Sequence, residues 1–229
     1  MQIQWFPGHM HKARVQIKET LPKVDLVIEV LDARIPYSSE NPMLAELRGD
    51  KPCLKILNKA DLADPELVKV WLRFFEKQKG IKARPTSTED RGSIRQLTPL
   101  MSQMLPEKGE GKTITTMIAG IPNVGKSTII NILANKKVAK TGNEPAVTKG
   151  QQRINIGDGV TLLDTPGVLW PNVENVYSGY RLATIGSIKE TAMDYADAAF
   201  FSAEFMLQHY QARLMDRYGM DSVPASAMD

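Results

Sequence analysis

The chain has 229 residues, 42% of them hydrophobic, which is enough to bury the core of one moderate domain with a smaller attachment. Its formal net charge of +3 is too small to indicate a nucleic-acid-binding protein by itself. No secretory signal peptide opens the chain and no run reaches the roughly 18 apolar residues of a spanning helix, which excludes secreted and membrane proteins and predicts a cytoplasmic location. The single cysteine, Cys53, stands in an apolar run and is predicted to be a buried thiol.

Basic residues concentrate in two regions of the chain. Residues 1–23 hold four basic residues and one acidic residue, residues 108–153 hold eight and two, and residues 158–229 hold four and ten. Attraction to RNA is therefore expected from the N-terminal segment and from the region around Lys136, Lys137, Lys140, Lys149 and Arg153. The basic N-terminal pattern is also compatible with a mitochondrial presequence.

Short apolar runs rich in β-branched residues alternate with amphipathic patterns along most of the chain. The runs predict strands at residues 24–31, 53–57, 81–83, 114–119, 153–156 and 160–163. The patterns between them predict helices at residues 42–48, 65–79, 94–104 and 127–135. This alternation is typical of an α/β fold with a doubly wound, mostly parallel sheet. Only Gly157-Asp158-Gly159 separates the last two strands, which are therefore expected to form a hairpin.

The pattern changes after Trp170-Pro171, where the strands stop. Residues 191–218 follow a helical repeat of apolar side chains, which predicts an all-α region. We expect an α/β domain over residues 1–172, including an N-terminal arm, and a C-terminal helical domain over residues 173–229. The turn and cap pattern of residues 219–229 leaves open whether the helical domain is complete.

The segment from Gly120 to Ser127 reads Gly-x-x-x-x-Gly-Lys-Ser between a predicted strand and a predicted helix, as a phosphate-binding Walker A loop requires. Glycine permits close approach of the backbone to phosphates, Lys126 is expected to reach the β- and γ-phosphates, and the Ser127 hydroxyl to bind magnesium. Lys126 is thereby also a candidate catalytic residue. The loop residues predicted to contact the nucleotide are Asn123, Val124, Gly125, Lys126, Ser127 and Thr128.

Asp164-Thr165-Pro166-Gly167 ends the last predicted strand, about 40 residues after the Walker loop, and resembles an acidic loop that senses the γ-phosphate. Asp164 is expected to hold magnesium directly or through water, and the Gly167 amide to face the γ-phosphate. Thr148 lies between the two loops and is the candidate switch threonine, completing magnesium coordination when GTP is bound. The alternative for Thr148 is a solvated loop residue.

Asn58-Lys59-Ala60-Asp61 follows a predicted strand, as a base-reading loop should. The Asp61 carboxylate can accept hydrogen bonds from guanine N1 and the 2-amino group, and adenine offers no such pair of donors. Asn58 is expected to brace the loop, and the stem of Lys59 to lie along the base. Thr86-Ser87-Thr88 follows the next strand and is the candidate loop for guanine O6, with Thr86 and Ser87 as contacts.

The base-reading loop precedes the phosphate loop, the reverse of the order in an ordinary small GTPase. In a doubly wound sheet these loops gather at the carboxyl ends of the strands, so the site survives if the old termini are joined and the chain is reopened elsewhere. The polar stretch at residues 106–112 is the expected join. Two separate nucleotide domains would need a second Walker motif, which the chain lacks. The motif order therefore predicts one circularly permuted P-loop GTPase domain, with a C-terminal all-α region.

Two further runs accompany this motif order: Trp5-Phe6-Pro7-Gly8-His9-Met10 near the start of the chain, and Asp32-Ala33-Arg34-Ile35-Pro36 after the first predicted strand. On the motif order and these two runs, the chain resembles the circularly permuted ribosome-assembly GTPases. The resemblance covers essentially the whole chain. It implies a monomeric GTPase that binds GTP and GDP, uses magnesium, and helps the precursor of the large ribosomal subunit to mature through contacts with its rRNA, some of them from the helical domain.

The resemblance also implies two roles that the motifs alone do not. It points to His9 as a catalytic residue and to Asn123 as a ligand for an activating potassium ion. Val168 stands where Ras-like enzymes place a water-orienting glutamine, so slow intrinsic hydrolysis is expected. The alternative for His9 is a mobile surface residue or an RNA contact. Two other functions stay open: a permuted GTPase serving the small subunit or a mitochondrial ribosome, and a nucleotide-gated RNA scaffold with incidental hydrolysis.

Overall fold

The structure is a computed structural model that describes residues 7–108, 111–139, 152–165, 175–188 and 194–228, with the backbone alone for residues 7–13. The chain divides into two compact units, one of Phe6–Asn172 and a second that includes Val173–Asp229. Among the described residues the first unit holds all of the β-structure and the second is helical. No helix in these described ranges is long and apolar enough to cross a membrane.

Six strands in the described part of the first unit form one sheet with the order β3-β2-β1-β4-β6-β5. They are β1 Leu26–Asp32, β2 Cys53–Asn58, β3 Ile81–Pro85, β4 Ile114–Gly120, β5 Gln152–Gly157 and β6 Val160–Asp164. All neighbouring pairs are parallel except β5 and β6, which form an antiparallel hairpin. The predicted mostly parallel sheet and its hairpin are confirmed. Because β2, β4 and β6 run in the same direction, the loops that follow them lie at one edge of the sheet.

Ten α-helices lie in the described ranges: α1 Pro7–Thr20, α2 Pro36–Ser39, α3 Pro42–Arg48, α4 Pro65–Glu76, α5 Arg91–Arg95, α6 Leu97–Gln103, α7 Lys126–Leu133, α8 Val176–Thr184, α9 Tyr195–His209 and α10 Gln211–Tyr218. The helix predicted at 94–104 is two short helices, because Pro99 has no N–H to donate to the Arg95 carbonyl, where α5 ends. The helix predicted to end at residue 218 is interrupted at Tyr210, whose φ of −137° is not helical. No helix was predicted from the sequence at residues 176–184, where α8 lies.

The starts of α3 and α4 follow directly from the sequence. Asn41 and Asp64 each precede a proline, and proline is favoured in the first turn of a helix. The Asn41 side chain accepts a hydrogen bond from the Met43 N–H, and Asp64 accepts from two amides of the first turn of α4. Each cap satisfies amides that have no partner inside the helix, which stabilises the helix start.

The core lies on both faces of β1 and β2, which are buried at every position. A parallel sheet covered by helices on both faces requires such continuous apolar strands. Phe75 of α4 is fully buried in this core, as is Cys53 at the start of β2. Burial raises the pKa of the Cys53 thiol to about 12, so the thiol stays protonated and unreactive. The prediction of a buried thiol is confirmed.

Two charged residues interrupt the apolar pattern of the central strands and pair with each other. Glu29 of β1 and Lys55 of β2 are register partners, both 2% exposed, and the Lys55 ammonium lies 2.5 Å from a Glu29 carboxylate oxygen. Lys55 also contacts Glu40 at 2.7 Å, and the Asn41 amide donates to Glu29 at 2.9 Å. The cluster therefore connects the sheet to the turn between α2 and α3.

Replacing Lys55 by alanine is expected to lower the free energy of unfolding by about 3–5 kcal/mol, because it leaves the Glu29 charge buried without its partner. Lys69→Ala is the matched control, since Lys69 forms an exposed pair with Glu66 on α4 and its loss should cost no more than about 0.5 kcal/mol. Urea denaturation of the three proteins measures both values. Equal losses in the two variants would contradict the role given to the buried cluster.

Candidate nucleotide-binding site

The predicted phosphate loop joins β4 to α7. β4 ends at Gly120, α7 begins at Lys126, and Gly125 precedes it with a φ of 100°. A β-carbon on Gly120 would collide with the Val30 carbonyl of β1, and one on Gly125 would collide with the Asn58 side chain. Both glycines are therefore required by the packing of the loop against its neighbours, in addition to the approach of phosphate that the motif predicts.

Lys126 is buried at the start of α7 and folds back over the loop. Its ammonium donates hydrogen bonds to the carbonyls of Gly120 at 3.0 Å and Ile121 at 2.8 Å. Burial lowers the pKa of Lys126 to about 8, and the charge of Asp164 offsets part of that effect. A ligand with anionic oxygens would restore the charge balance around this ammonium, so the loop is poised for a phosphate.

The lowered pKa makes nucleotide affinity depend on pH. A phosphate favours protonated Lys126, so binding weakens as pH rises through the pKa of the nucleotide-free protein. Between about pH 7 and about pH 9 the protonated fraction for a pKa of about 8 falls about tenfold, and we expect GDP affinity to fall by about that factor. Calorimetric titration with GDP measures the loss. Guanosine is the control, because it shares the titrating base but lacks phosphates; an equal loss for guanosine would contradict the assignment.

The base-reading loop is bound directly to the phosphate loop. Asn58 is buried at the end of β2, donates to the Val124 carbonyl at 2.8 Å, and accepts from the Thr86 hydroxyl at 3.1 Å. The Lys59 ammonium donates to the Asn123 carbonyl at 2.8 Å. The two bonds to the phosphate loop join residues more than sixty positions apart. They bring the two motifs into one site, as the permutation hypothesis requires.

The remaining base-loop residues are positioned by the backbone. Lys59 adopts a left-handed conformation with φ 60°, and Asp61 follows in a 3-10 turn, Ala60–Leu62, with its side chain exposed. The Ala60 amide donates to the Thr86 carbonyl at 3.0 Å, which ties this loop to the one after β3. Ser87 lies next to Thr86 and is half-buried. The exposed Asp61 carboxylate is thus free of the core and accessible to a ligand.

Asp164 ends β6 and is buried at the same sheet edge. The next residue, Thr165, is buried and donates to the Ile118 carbonyl of β4 at 2.7 Å, which fixes the start of the acidic loop. Ser127 and Thr128 lie half-buried in the first turn of α7. A carboxylate and a hydroxyl are oxygen donors that magnesium accepts, and magnesium in nucleotide sites uses few protein ligands. The donor set fits that ion.

Several predicted site residues lie outside the described residues. Thr148, Gly167 and Val168 belong to the ranges that the structure does not describe. His9 lies in α1, where the backbone alone is described. In the basic region Lys136, Lys137 and Arg153 are exposed, and Lys140 and Lys149 lie outside the described ranges.

Asp32 belongs to a run that carries the family resemblance but was not predicted to be a site residue, and the structure places it in the same site. Asp32 ends β1, is fully buried, and lies 3.2 Å from the Lys59 ammonium. A signal was available in the sequence: an acidic residue at the carboxyl end of an apolar strand, followed by Arg34 two positions later.

Comparison with known proteins agrees with this geometry. The family described as 50S ribosome-binding GTPase matches residues 115–216. Ribosome biogenesis GTPase A of Priestia megaterium is 44% identical over 238 residues, covering all of this chain and 82% of that protein. Mitochondrial ribosome-associated GTPase 1 of Mus musculus is 40% identical, covering 84% of this chain and 65% of that protein. A crystal structure of GNP-bound YlqF from T. maritima is 31% identical with a TM-score of 0.63, covering 93% of this chain and 78% of that one.

The fold and the site define a circularly permuted P-loop GTPase, with the base-reading loop ahead of the phosphate loop in the chain. The sheet order, the joined loops and the similarity to a solved structure all agree on this class. Within it, the chain belongs to the ribosome biogenesis GTPase A family. The resemblance inferred from the motifs is confirmed.

Proposed function

We propose that the chain is a GTP-hydrolysing assembly factor that binds the maturing large ribosomal subunit and promotes its late maturation. The observation that carries the proposal is the joining of base and phosphate loops through Asn58 and Lys59 in a permuted domain. A relative that is 44% identical to the chain is named Ribosome biogenesis GTPase A, and the matching family is described as 50S ribosome-binding. The exposed basic residues Lys136, Lys137 and Arg153 offer a surface for rRNA phosphates.

The nucleotide is bound by two groups of residues. Asp61 accepts from guanine N1 and the 2-amino group, the Lys59 stem covers the base, and the loop of Thr86 and Ser87 faces O6. Asn58 holds these elements against the phosphate loop. The α and β phosphates lie on the amides of Asn123 to Thr128, where the start of α7 favours negative charge. Lys126 then exchanges its carbonyl partners for phosphate oxygens.

Magnesium, when bound with GTP, neutralises charge on the β- and γ-phosphates. Ser127 and Asp164 would hold it, with Thr148 added in the GTP state, and Asn123 would contribute to a potassium site. The Gly167 amide would face the γ-phosphate, so that its loop and Thr148 would report whether GTP or GDP is present. The GTP state thereby orders the basic region near Thr148 for contact with rRNA.

Hydrolysis by the isolated protein is slow, because Val168 can neither orient nor deprotonate water. We assign the orientation or deprotonation of the attacking water to His9, which lies in α1 near the start of the chain. Binding to the ribosomal subunit would position this imidazole beside the attacking water. Stimulation of GTP hydrolysis by the bound ribosomal subunit is then part of the mechanism.

Multiple-turnover GTP hydrolysis, with purified large or small subunits and in potassium or sodium, tests the proposal. We expect stimulation by large subunits only, and a higher rate in potassium. The relative named mitochondrial ribosome-associated GTPase 1 makes mitochondrial large subunits a useful third addition. Stimulation by small subunits alone would assign another client, and no stimulation by any subunit would favour the nucleotide-gated scaffold.

Replacing His9 by alanine is expected to lower the ratio of stimulated to unstimulated hydrolysis by about 10²-fold or more, the usual contribution of a group that transfers or orients a proton. His11→Ala is the matched control, since it removes another imidazole from the same helix. Co-sedimentation with large subunits shows whether binding is retained. A normal ratio in the His9 variant would remove His9 from the mechanism.

A further inference from the structure

β1 carries a carboxylate to the centre of the nucleotide site. The strand lies between β2, which leads to the base-reading loop, and β4, which leads to the phosphate loop. Its last residue, Asp32, is the register partner of Asn58 and is fully buried. Burying a carboxylate costs free energy of folding unless the carboxylate is paired and hydrogen-bonded. The groups that pair with Asp32 therefore indicate what it does in the site.

Two cations share the Asp32 carboxylate. The Arg34 guanidinium donates from Nε to Oδ1 and from Nη2 to Oδ2, each at 2.8 Å, and the Arg34 amide donates to Oδ1 at 3.1 Å. The Lys59 ammonium lies 3.2 Å from Oδ2 and donates at the same time to the Asn123 carbonyl at 2.8 Å. Lys59 is therefore held between the end of β1 and the phosphate loop.

The turn after β1 holds Asp32 in place. The Asp32 amide donates to the Ser39 hydroxyl at 3.0 Å, and that hydroxyl bonds back to the Ile35 carbonyl at 2.9 Å. The Ala33 amide donates to the Asn58 carbonyl at 2.8 Å, which fastens the turn to β2. The carboxylate thus belongs to a turn that hydrogen bonds hold together and fasten to the end of β2.

The charges agree with this geometry. Burial raises the pKa of Asp32, but the hydrogen bonds of Arg34 and the charges of Arg34 and Lys59 outweigh it, so the pKa lies below its ordinary value. The hydrogen bonds to Asp32 raise the pKa of Arg34, and the charge of Asp61 adds to that increase. Asp32 is therefore ionised, and Arg34 lies within electrostatic range of the carboxylate predicted to read guanine.

We propose that Asp32 is a positioning residue for guanine-nucleotide binding, which holds the Lys59 side chain in the conformation that covers the base while Arg34 fixes the carboxylate. A lysine stem has several rotatable bonds, and ordering it before the ligand arrives removes an entropic cost from binding. The proposal rests on the assignment of Asn58–Asp61 as the guanine-reading loop. It adds to that assignment a residue from a different strand, which touches neither base nor phosphate.

A double-mutant cycle of Asp32→Asn and Lys59→Met tests the proposal, with a fluorescent methylanthraniloyl-GDP as the probe. Each single variant is expected to weaken GDP binding by at least about tenfold, as for loss of a hydrogen bond to a charged group. If Asp32 acts through Lys59, the double variant binds GDP within about twofold of Lys59→Met. Losses that multiply would overturn the proposal, because a carboxylate that only stabilises the fold would act independently of Lys59.

Two further measurements keep the test decisive. Melting temperatures of the nucleotide-free proteins show whether Asp32→Asn is folded. If it is not folded, Arg34→Met replaces it in the same cycle. Arg34→Met is expected to weaken GDP binding by at least about threefold, and this loss should disappear in the Lys59→Met background. Glu76→Gln is the matched control, because it weakens another carboxylate–arginine pair, with Arg84, outside the site. A loss of GDP affinity in that control as large as in Asp32→Asn would contradict a specific role.

Failure of this proposal can be distinguished from failure of the loop assignment. If Asp61→Asn leaves the preference for guanine over xanthine nucleotides unchanged, the loop assignment is wrong and the role of Asp32 falls with it. If that variant changes the preference while Asp32 and Lys59 act independently, only the positioning role is wrong.

Discussion

Asp61→Asn is expected to convert the protein from a guanine-nucleotide to a xanthine-nucleotide binder. The carboxylate accepts from two donors of guanine, and an asparagine in its place sets an amide donor against the guanine 2-amino group. Xanthine has a carbonyl oxygen there, which accepts that bond. Because a site that leaves buried polar groups unpaired discriminates by about 10⁴-fold or more, we expect a loss of GTP affinity of at least about 10³-fold and a gain for xanthosine triphosphate.

The control for this change is Asp64→Asn, the same substitution three positions along the chain. Asp64 caps α4, and asparagine caps a helix about as well, so the variant changes the charge and keeps the helix. Competition between GTP and xanthosine triphosphate for both variants measures the preference. A similar change in both would show that charge near the loop, and not pairing with the base, sets specificity.

Lys126→Ala is expected to lower the affinity for GTP and GDP by at least about 10²-fold, since it removes charge-assisted hydrogen bonds to the phosphates. The nucleotide-free protein should lose little stability. Burial lowers the pKa of Lys126 to about 8, so keeping this lysine charged costs the folded state stability; the cost is complete below about pH 8 and disappears as pH rises toward the ordinary lysine pKa. The variant thus separates binding from folding.

Thermal unfolding with and without GDP tests both parts of this prediction. A bound ligand raises the melting temperature of a protein that binds it in the folded state, and this increase should vanish in Lys126→Ala. Lys136→Ala is the control, because Lys136 is exposed beyond the end of α7. An unchanged increase with GDP in Lys126→Ala would remove Lys126 from the site.

Most of the sheet could be predicted because its strands are short apolar runs that end in recognisable motifs. The motifs also located the Walker loop and the base-reading loop without any structure. The helices were harder, because periodicity is insensitive to single breaks: Pro99 divides one predicted helix, and a local change of φ at Tyr210 divides another. Glu29 and Lys55 interrupt their strands with charges, and their pairing in the core depends on strand register, which no local pattern reports.

The sequence by itself determined the class of protein, since the order of Asn58 to Asp61 and Gly120 to Ser127 requires one permuted nucleotide domain. Only the tertiary structure decided how the two motifs are held together. Asn58 and Lys59 bind loop carbonyls more than sixty residues away, and Asp32 joins them from the strand between. The physical reason is that spacing along the chain does not determine which loops meet at one edge of a parallel sheet. The order of the strands determines it, and that order is set by the packing of the whole core.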